Sequence, residues 1–296
     1  MNASFSLFAS EAARVAVVTG ASRGAGKGIA LALGAAGLTV YVTGRSQNEG
    51  DAALPGTVQA TADAVTQAGG QGIAVICDHG DDVQVAALFA RVETEQGRLD
   101  LLVNNACAIP DELTQPGPFW QKPLHMLDLL QVGMRSHYVA SWHAARMMAA
   151  QDRGLIVHTS SYGSVCYMHG PAYGAGKAAV DKMAHDMAID LRPHGVAVVS
   201  LWMGLLRTER TERALQDPEM ARKYAASVPH MESPQFPGRV IAGLLDDPAL
   251  MKRSGKVWID AELAIELGVT DIDGRQPPSY RSALGEPPVY SRAIVE

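Results

Sequence analysis

Cysteine is scarce, with only three in 296 residues. Cys77, Cys107 and Cys166 lie far apart at no metal-ligand spacing. That excludes a disulfide framework and fits a reducing compartment. Runs of Lys or Arg are absent and the net charge is −6, so neither nucleic acid nor an anionic membrane is expected as a partner. No apolar stretch approaches the ~20 residues that a membrane span needs. Residues 1–13 lack the basic region and long apolar core of a signal peptide. A soluble cytoplasmic protein is the expectation. No repeat at solenoid spacing occurs, and the nine histidines include no tight ligand pair, so no metal is expected.

Short β-branched runs and helical patterns alternate instead. The runs RVAVVTG (14–20), TVYVTG (39–44), GIAVICD (72–78), LDLLVNNA (99–106), GLIVHTSS (154–161), GVAVVSLW (195–202) and GKVWID (255–260) read as strands. Near-continuous apolar strands separated by helices predict an α/β fold: a single-domain, doubly wound parallel sheet of Rossmann type with helices on both faces. The domain is expected over 14–269, after an N-terminal extension (1–13). Residues 270–296 are Pro-rich and aperiodic, and predict a tail draped over the body or disordered.

The first strand runs into TGASRGAGKGIA, where Gly20, Gly24 and Gly26 mark a strand-to-helix turn. Glycines there permit a tight turn and close backbone approach, and the helix amino terminus offers N–H groups to a pyrophosphate. A carboxylate after the second strand would hold a ribose 2′-OH; Thr43, Gly44 and Arg45 stand there instead. With Arg23 inside the turn, two guanidiniums without an acid favour a 2′-phosphate, hence NADP(H) over NAD(H). Solvated surface charge is the plainer alternative for both.

Residues 171–191, PAYGAGKAAVDKMAHDMAIDL, read as a helix with Pro171 near its start. Tyr173 and Lys177, four apart, share one face. Tyr-x-x-x-Lys is common by chance, but Ser160 closes the fifth strand thirteen residues earlier, at a carboxyl end where ligands bind. A phenol beside an ammonium can give a proton to a carbonyl oxygen near neutral pH. Ser160 would hydrogen-bond the same oxygen, although the adjacent Ser161 is an alternative. Gly174 and Gly176, costly in a helix, would clear space for cofactor and substrate.

Taken together, TGASRGAG, Asp78 after the third strand, NNA at 104–106, Ser160…Tyr173…Lys177 and LWMGLLRT resemble the short-chain dehydrogenases/reductases. The stretches HYVAS, YGAGKAA and HGVAVVSLW narrow the resemblance to one branch, the dehydrogenase/reductase member 1 type. The resemblance implies a Rossmann-type fold, an NAD(P) cofactor, Tyr173 as acid/base, and Lys177 on the nicotinamide ribose. It also implies Asp78 and Asn105 near the adenine side, and cofactor contacts from Ser22, Ala106, Gly204 and Thr208. It further implies that the segment Pro123 to Ala150 and the helix bearing Lys177 pair with their mates in a homodimer or homotetramer. Three departures stand out. Gln131 occupies the position matched to a relay Asn; Cys107 replaces a glycine and reads as a small packed side chain. Met203-Gly204 replaces Pro-Gly, which is expected to loosen the loop over the nicotinamide.

Ile109, Phe119, Trp120, Tyr167, Met168, Trp202 and Met203 are candidate pocket walls, and an apolar lining suits a small-molecule carbonyl compound or alcohol with a hydrophobic body. Ordinary core or subunit-contact roles are the alternative for each. The function expected is an NADP(H)-dependent oxidoreductase that interconverts carbonyl and alcohol. The rival is a nicotinamide-sensing binding protein that has lost turnover.

Overall fold

The computed structural model describes residues 13–291 and 293–295. The N-terminal extension expected at 1–13 lies outside them except for Ala13. Seven parallel strands, β1 (Val15–Val18), β2 (Thr39–Gly44), β3 (Gln71–Ile76), β4 (Leu101–Asn104), β5 (Gly154–Ser160), β6 (Val196–Trp202) and β7 (Val257–Ile259), form one sheet. Their order is β3-β2-β1-β4-β5-β6-β7, so the winding reverses between β1 and β4. Such a reversal leaves a crevice at the strand carboxyl ends. All seven runs picked out by apolar patterning are strands.

Helices of eight residues or more number seven among the described residues: α1 (Gly24–Ala35), α2 (Val58–Gln67), α3 (Asp82–Gln96), α4 (Ser136–Ala150), α5 (Pro171–Leu191), α6 (Phe236–Leu245) and α7 (Asp260–Leu267). None is long and apolar enough to cross a membrane. Local chemistry sets their ends. Thr57 Oγ1 caps α2 through Ala60 N–H at 3.0 Å, and Asp81 caps α3 through Val83 N–H at 2.9 Å. Gly97 closes α3 in the left-handed conformation.

The period-2 alternation of strand side chains explains why the strands are apolar throughout. Ala16, Val18, Val40 and Val42 pack with α1, α2 and α6, whereas Val15, Val17 and Tyr41 pack with α3, α4 and α5. Each fully buried large apolar side chain contributes about 1.5–3 kcal/mol, so two such faces dominate the stability.

The tail is held by specific contacts. Tyr280 N–H donates to the Tyr162 hydroxyl at 3.1 Å, and Arg281 forks onto Glu262 at 2.9 and 2.6 Å. Tyr280, Leu284 and Tyr290 pack against the cluster of Tyr162, Trp202, Val257 and Ile259.

A buried carboxylate ties α5 to β6. Asp181 accepts from Ser200 Oγ at 2.5 Å and from the Trp202 indole N–H at 2.9 Å. Trp202→Phe keeps most of the ring volume and removes that donor. We expect it to lower unfolding free energy by about 1–3 kcal/mol, the cost of an unsatisfied buried acceptor, measured by urea denaturation at neutral pH.

Candidate active site

The turn after β1 is built against the end of β4. Gly20 has φ +64°, and a Cβ there would stand 2.7 Å from Ala106 Cα. At Gly26 an added Cβ would stand 2.3 Å from Gly20 O and 2.5 Å from Asn105 Nδ2. The Asn105 amide donates to Thr19 O at 3.0 Å and Gly20 O at 3.1 Å. Thr19 Oγ1 accepts from the backbone N–H of Asn105 and Ala106 at 2.8 and 2.9 Å. Asn105 and Ala106 therefore shape the turn, with the Asn105 amide committed to it. Thr19, a residue that pattern reading passed over, is the hub.

A cleft of about 1050 Å³ opens there, lined by Gly20, Ser22, Arg23, Gly24, Gly26, Arg45, Asp78, Asn105, Ala106, Gln131 and Thr208 among others. The first turn of α1 has no acidic residue and no side-chain cap from Arg23. Its amides lack intrahelical partners, and only that of Gly24 meets a side chain, Glu209 Oε2 at 2.9 Å. The amides of Ala25 and Gly26 remain for an anion, which fits a pyrophosphate.

The two arginines differ. Arg23 donates to Ser46 Oγ at 2.7 Å, Gly56 O at 2.8 Å and Pro55 O at 3.1 Å. Burial lowers its pKa, with Glu209 and Glu49 opposing and Arg210 and Arg45 adding to the effect. The Arg45 side chain is 76% exposed and its salt-bridge partner, Asp78, lies 3.9 Å away. Thr43 points inward, its hydroxyl on Val18 O at 3.1 Å and His79 Nε2 at 2.7 Å. No carboxylate ends β2. Ser46 was missed, because a lone serine after a strand carries no pattern.

At the start of α5, outside the residues that line this cleft, the structure sets a different serine beside Tyr173. Ser160 is buried, 1% exposed, with its Oγ 3.4 Å from Lys177 O. It is Ser161 whose Oγ meets the Tyr173 hydroxyl, at 2.9 Å. Ser160, the last residue of β5, lies beneath α5, whereas Ser161, just past the strand, also caps the next turn through Gly163 N–H at 3.2 Å. Lys177 is buried, donates to Thr159 O at 3.1 Å, and stands 5.6 Å from the centre of the Tyr173 ring. A Cβ on Gly163 would stand 2.6 Å from Tyr173 Cε1, so that glycine gives the ring its place.

Two glycines of α5 give room to protein neighbours, and Gly174 also lines a groove beside the helix. A Cβ at Gly174 would stand 3.0 Å from Gly163 O, and one at Gly176 would stand 3.5 Å from Leu130 Cδ2. Gly174 admits the turn that follows Ser161; Gly176 faces the segment before α4. His169, at φ +59°, sets its ring edge-on 5.1 Å from that of Tyr173.

Gln131 lines the cleft, but the chain breaks just beyond it. Val132 (φ −115°, ψ 98°) and Gly133 (φ 138°) are non-helical, and Val132 O accepts from Ala108 N–H at 2.7 Å. A Cβ at Gly133 would stand 3.0 Å from Cys107 Sγ. Cys107 thus fills space that Gly133 leaves. Burial pushes its thiol pKa up, with Lys177 opposing, which suits packing and not nucleophilic attack.

Of the candidate pocket walls, Phe119, Trp120, Tyr167 and Met168 line a second groove of about 600 Å³ beside α5, and Ile109 lines the cleft. Trp202 does not reach either. It is fully buried, its indole spent on Asp181. The Gly204 N–H turns away to Glu232 Oε2 at 3.1 Å, so this loop is pinned where Met203-Gly204 was expected to loosen it.

The family model for short chain dehydrogenases matches residues 14–219. Human dehydrogenase/reductase SDR family member 1 is 42% identical over 279 residues, covering 91% of this chain and 86% of that protein. The 1-cyclohexenylcarbonyl-CoA reductase of Streptomyces collinus is 34% identical over 202 residues, 67% of each. A Beutenbergia cavernae protein assigned as an NAD(P)-dependent gluconate 5-dehydrogenase, solved with NADP at low occupancy, superposes with TM-score 0.71. It is 28% identical and the match covers 83% of this chain and 94% of that one. With its Rossmann sheet and cleft, this chain belongs to the short-chain dehydrogenase/reductase family of NAD(P)-binding oxidoreductases and is an enzyme of the member 1 type.

Proposed function

We propose that the enzyme interconverts a carbonyl compound and an alcohol with NADP(H), using Tyr173 as proton donor and acceptor. The observation that carries this is the 2.9 Å contact between Ser161 Oγ and Tyr173 Oη beside the buried Lys177. A bound nicotinamide would supply or accept the hydride. Ser161, in place of Ser160, would hydrogen-bond the carbonyl oxygen and stabilise developing alkoxide charge. Tyr173 would deliver its proton to that oxygen and regain it in reverse. Lys177 would hold the ribose and favour the phenolate through its charge. Gln131 is in reach of the cleft to bind water there. The Ser161–Tyr173 contact favours turnover over the sensing alternative.

The NADP(H) preference rests on Arg45, whose exposed guanidinium stands 3.9 Å from Asp78, and on Arg23 and Ser46 beside it. Asp78 would bound the adenine side, and Thr208 the phosphates. The groove of Phe119, Trp120 and Tyr167, which are 61%, 72% and 83% exposed, would receive the apolar body of the substrate. Tyr138 and Trp142 on α4 and Ile189 on α5 are also exposed, which supports a homodimer or homotetramer through those helices. Free thiols throughout suit the cytoplasm.

Tyr173→Phe should bind NADPH normally and lose about 10²–10⁴ in turnover. Ser161→Ala should cost about 10²–10³ in kcat, with Ser160→Ala costing far less. Steady-state rates on a panel of aldehydes and ketones distinguish them; a more harmful Ser160→Ala refutes the serine assignment.

Arg45→Asp should weaken NADPH binding by about 10-fold or more, the worth of one charge-assisted contact to phosphate, while NADH binding changes little. Fluorescence titration at low and high salt measures both, and the wild-type preference should shrink in salt. Equal affinities for the two cofactors in the wild type would remove the basis for it.

A further inference from the structure

The segment after β6 is fastened by an acid pair that has no part in the chemistry above. Glu232 N–H donates to Leu205 O at 2.9 Å, and Glu232 O accepts from Arg207 N–H at 2.9 Å, a short parallel bridge centred on Leu206. The side chain reaches the same segment, Oε2 accepting from Gly204 N–H at 3.1 Å. A Cβ at residue 204 would stand 2.2 Å from Glu232 Oε1, so the carboxyl fits only against glycine. Four residues further along, Thr208, Glu209 and Arg210 line the cofactor cleft. Glu232 therefore sets where that wall stands.

Glu232 and Asp260 are 1% and 0% exposed. Glu232 Oε1 and Asp260 Oδ2 are buried without a hydrogen-bond donor, and the two side chains lie within hydrogen-bond reach of each other. Among the described residues no Lys or Arg makes a salt bridge with either. The neighbouring groups supply no compensating charge. Asp271 accepts from Ser233 N–H at 2.8 Å and Ile272 N–H at 2.7 Å. Arg275 is spent on Asp273 at 2.5 Å and the carbonyls of Pro229 and Met231 at 2.7 and 3.5 Å. Tyr162 and Tyr280 bring only phenols, and the Tyr280 hydroxyl is itself unpartnered. Two ionised carboxylates in such a place repel, whereas one shared proton satisfies both oxygens.

We propose that Glu232 is a positioning residue acting as half of a buried acid pair: the protonated pair holds Gly204–Thr208 against the sheet, where Thr208 and Glu209 close the cofactor cleft, and ionisation of the pair releases that segment. Burial, then the charge of Asp260, holds Glu232 well above the ordinary carboxyl range. Asp260 is pushed up to about 7, with burial the leading cause. Acids whose folded pKa is raised stabilise the folded segment fully below about pH 4, the unfolded value, and lose that stabilisation as pH rises through about 7.

The inference rests on the cleft being the NADP(H) site, and two readouts separate the two. Hydrogen-exchange protection of the Gly204 and Arg207 amides, corrected for intrinsic rate, should fall by about 10-fold or more between pH 6 and 8.5 in the wild type. In Glu232→Gln/Asp260→Asn, whose amides cannot ionise, it should change by less than about 3-fold. NADP⁺ affinity should follow the same two profiles. Wild-type protection that is flat with pH, or a double variant that loses as much as the wild type, overturns the proposal. Pair-dependent protection without NADP⁺ binding at any pH upholds the acid pair and overturns the cofactor assignment instead.

Discussion

Asp181 is the buried group on which the placement of Tyr173 and Lys177, the proposed acid and its neighbour, depends. It lies one turn beyond Lys177 and two beyond Tyr173, so the three share a face of α5. Its carboxylate, held by Ser200 Oγ and the Trp202 indole, tethers that face to β6. Burial raises the pKa of Asp181, and hydroxyl and indole hydrogen bonds pull it back. Removing a donor would leave a buried acceptor unsatisfied, and the helix bearing Tyr173 and Lys177 would lose its register on the sheet.

The same economy of charge runs along the strand ends. His158 and His79 are held down to about 3 and about 4, chiefly by burial. His137, also buried, is lowered further by His158 and Lys177. The neutral imidazoles of His137 and His158 lie near the buried ammonium and leave Lys177 the local positive charge. On the opposite side of the switch point Arg23, Arg45 and Arg210 gather near the phosphate end. One buried cation thus stands beside Tyr173, and one half-buried and two exposed cations stand beside the glycine turn.

Much of this was legible because it depends on local rules. Near-continuous β-branched apolar runs marked every strand, and the glycines after β1 marked the turn that lines the cleft. Tyr173 and Lys177 were legible because helical spacing alone puts them on one face. Ser160 misled for a comparable reason. Counting residues to Tyr173 says nothing about which hydroxyl lies beneath α5, and only the turn just past β5 brings Ser161 to the phenol. Trp202 misled because an aromatic at a strand end reads equally as a pocket wall or as a donor to a buried acid.

By itself, the sequence determined the alternating β/α order, the parallel sheet that follows from it and the residue types at the glycine turn and at the start of α5. These arise from periodicity and backbone freedom, which neighbours along the chain specify. Only the tertiary structure decided which serine meets Tyr173, that Arg23 is tied to Ser46 and Gly56 while Arg45 stays exposed 3.9 Å from Asp78, and that Gly204 rests on Glu232. Each of those is a contact between segments 12 to 33 residues apart. Their partners are chosen by packing across the sheet, where no pattern along the chain records the choice.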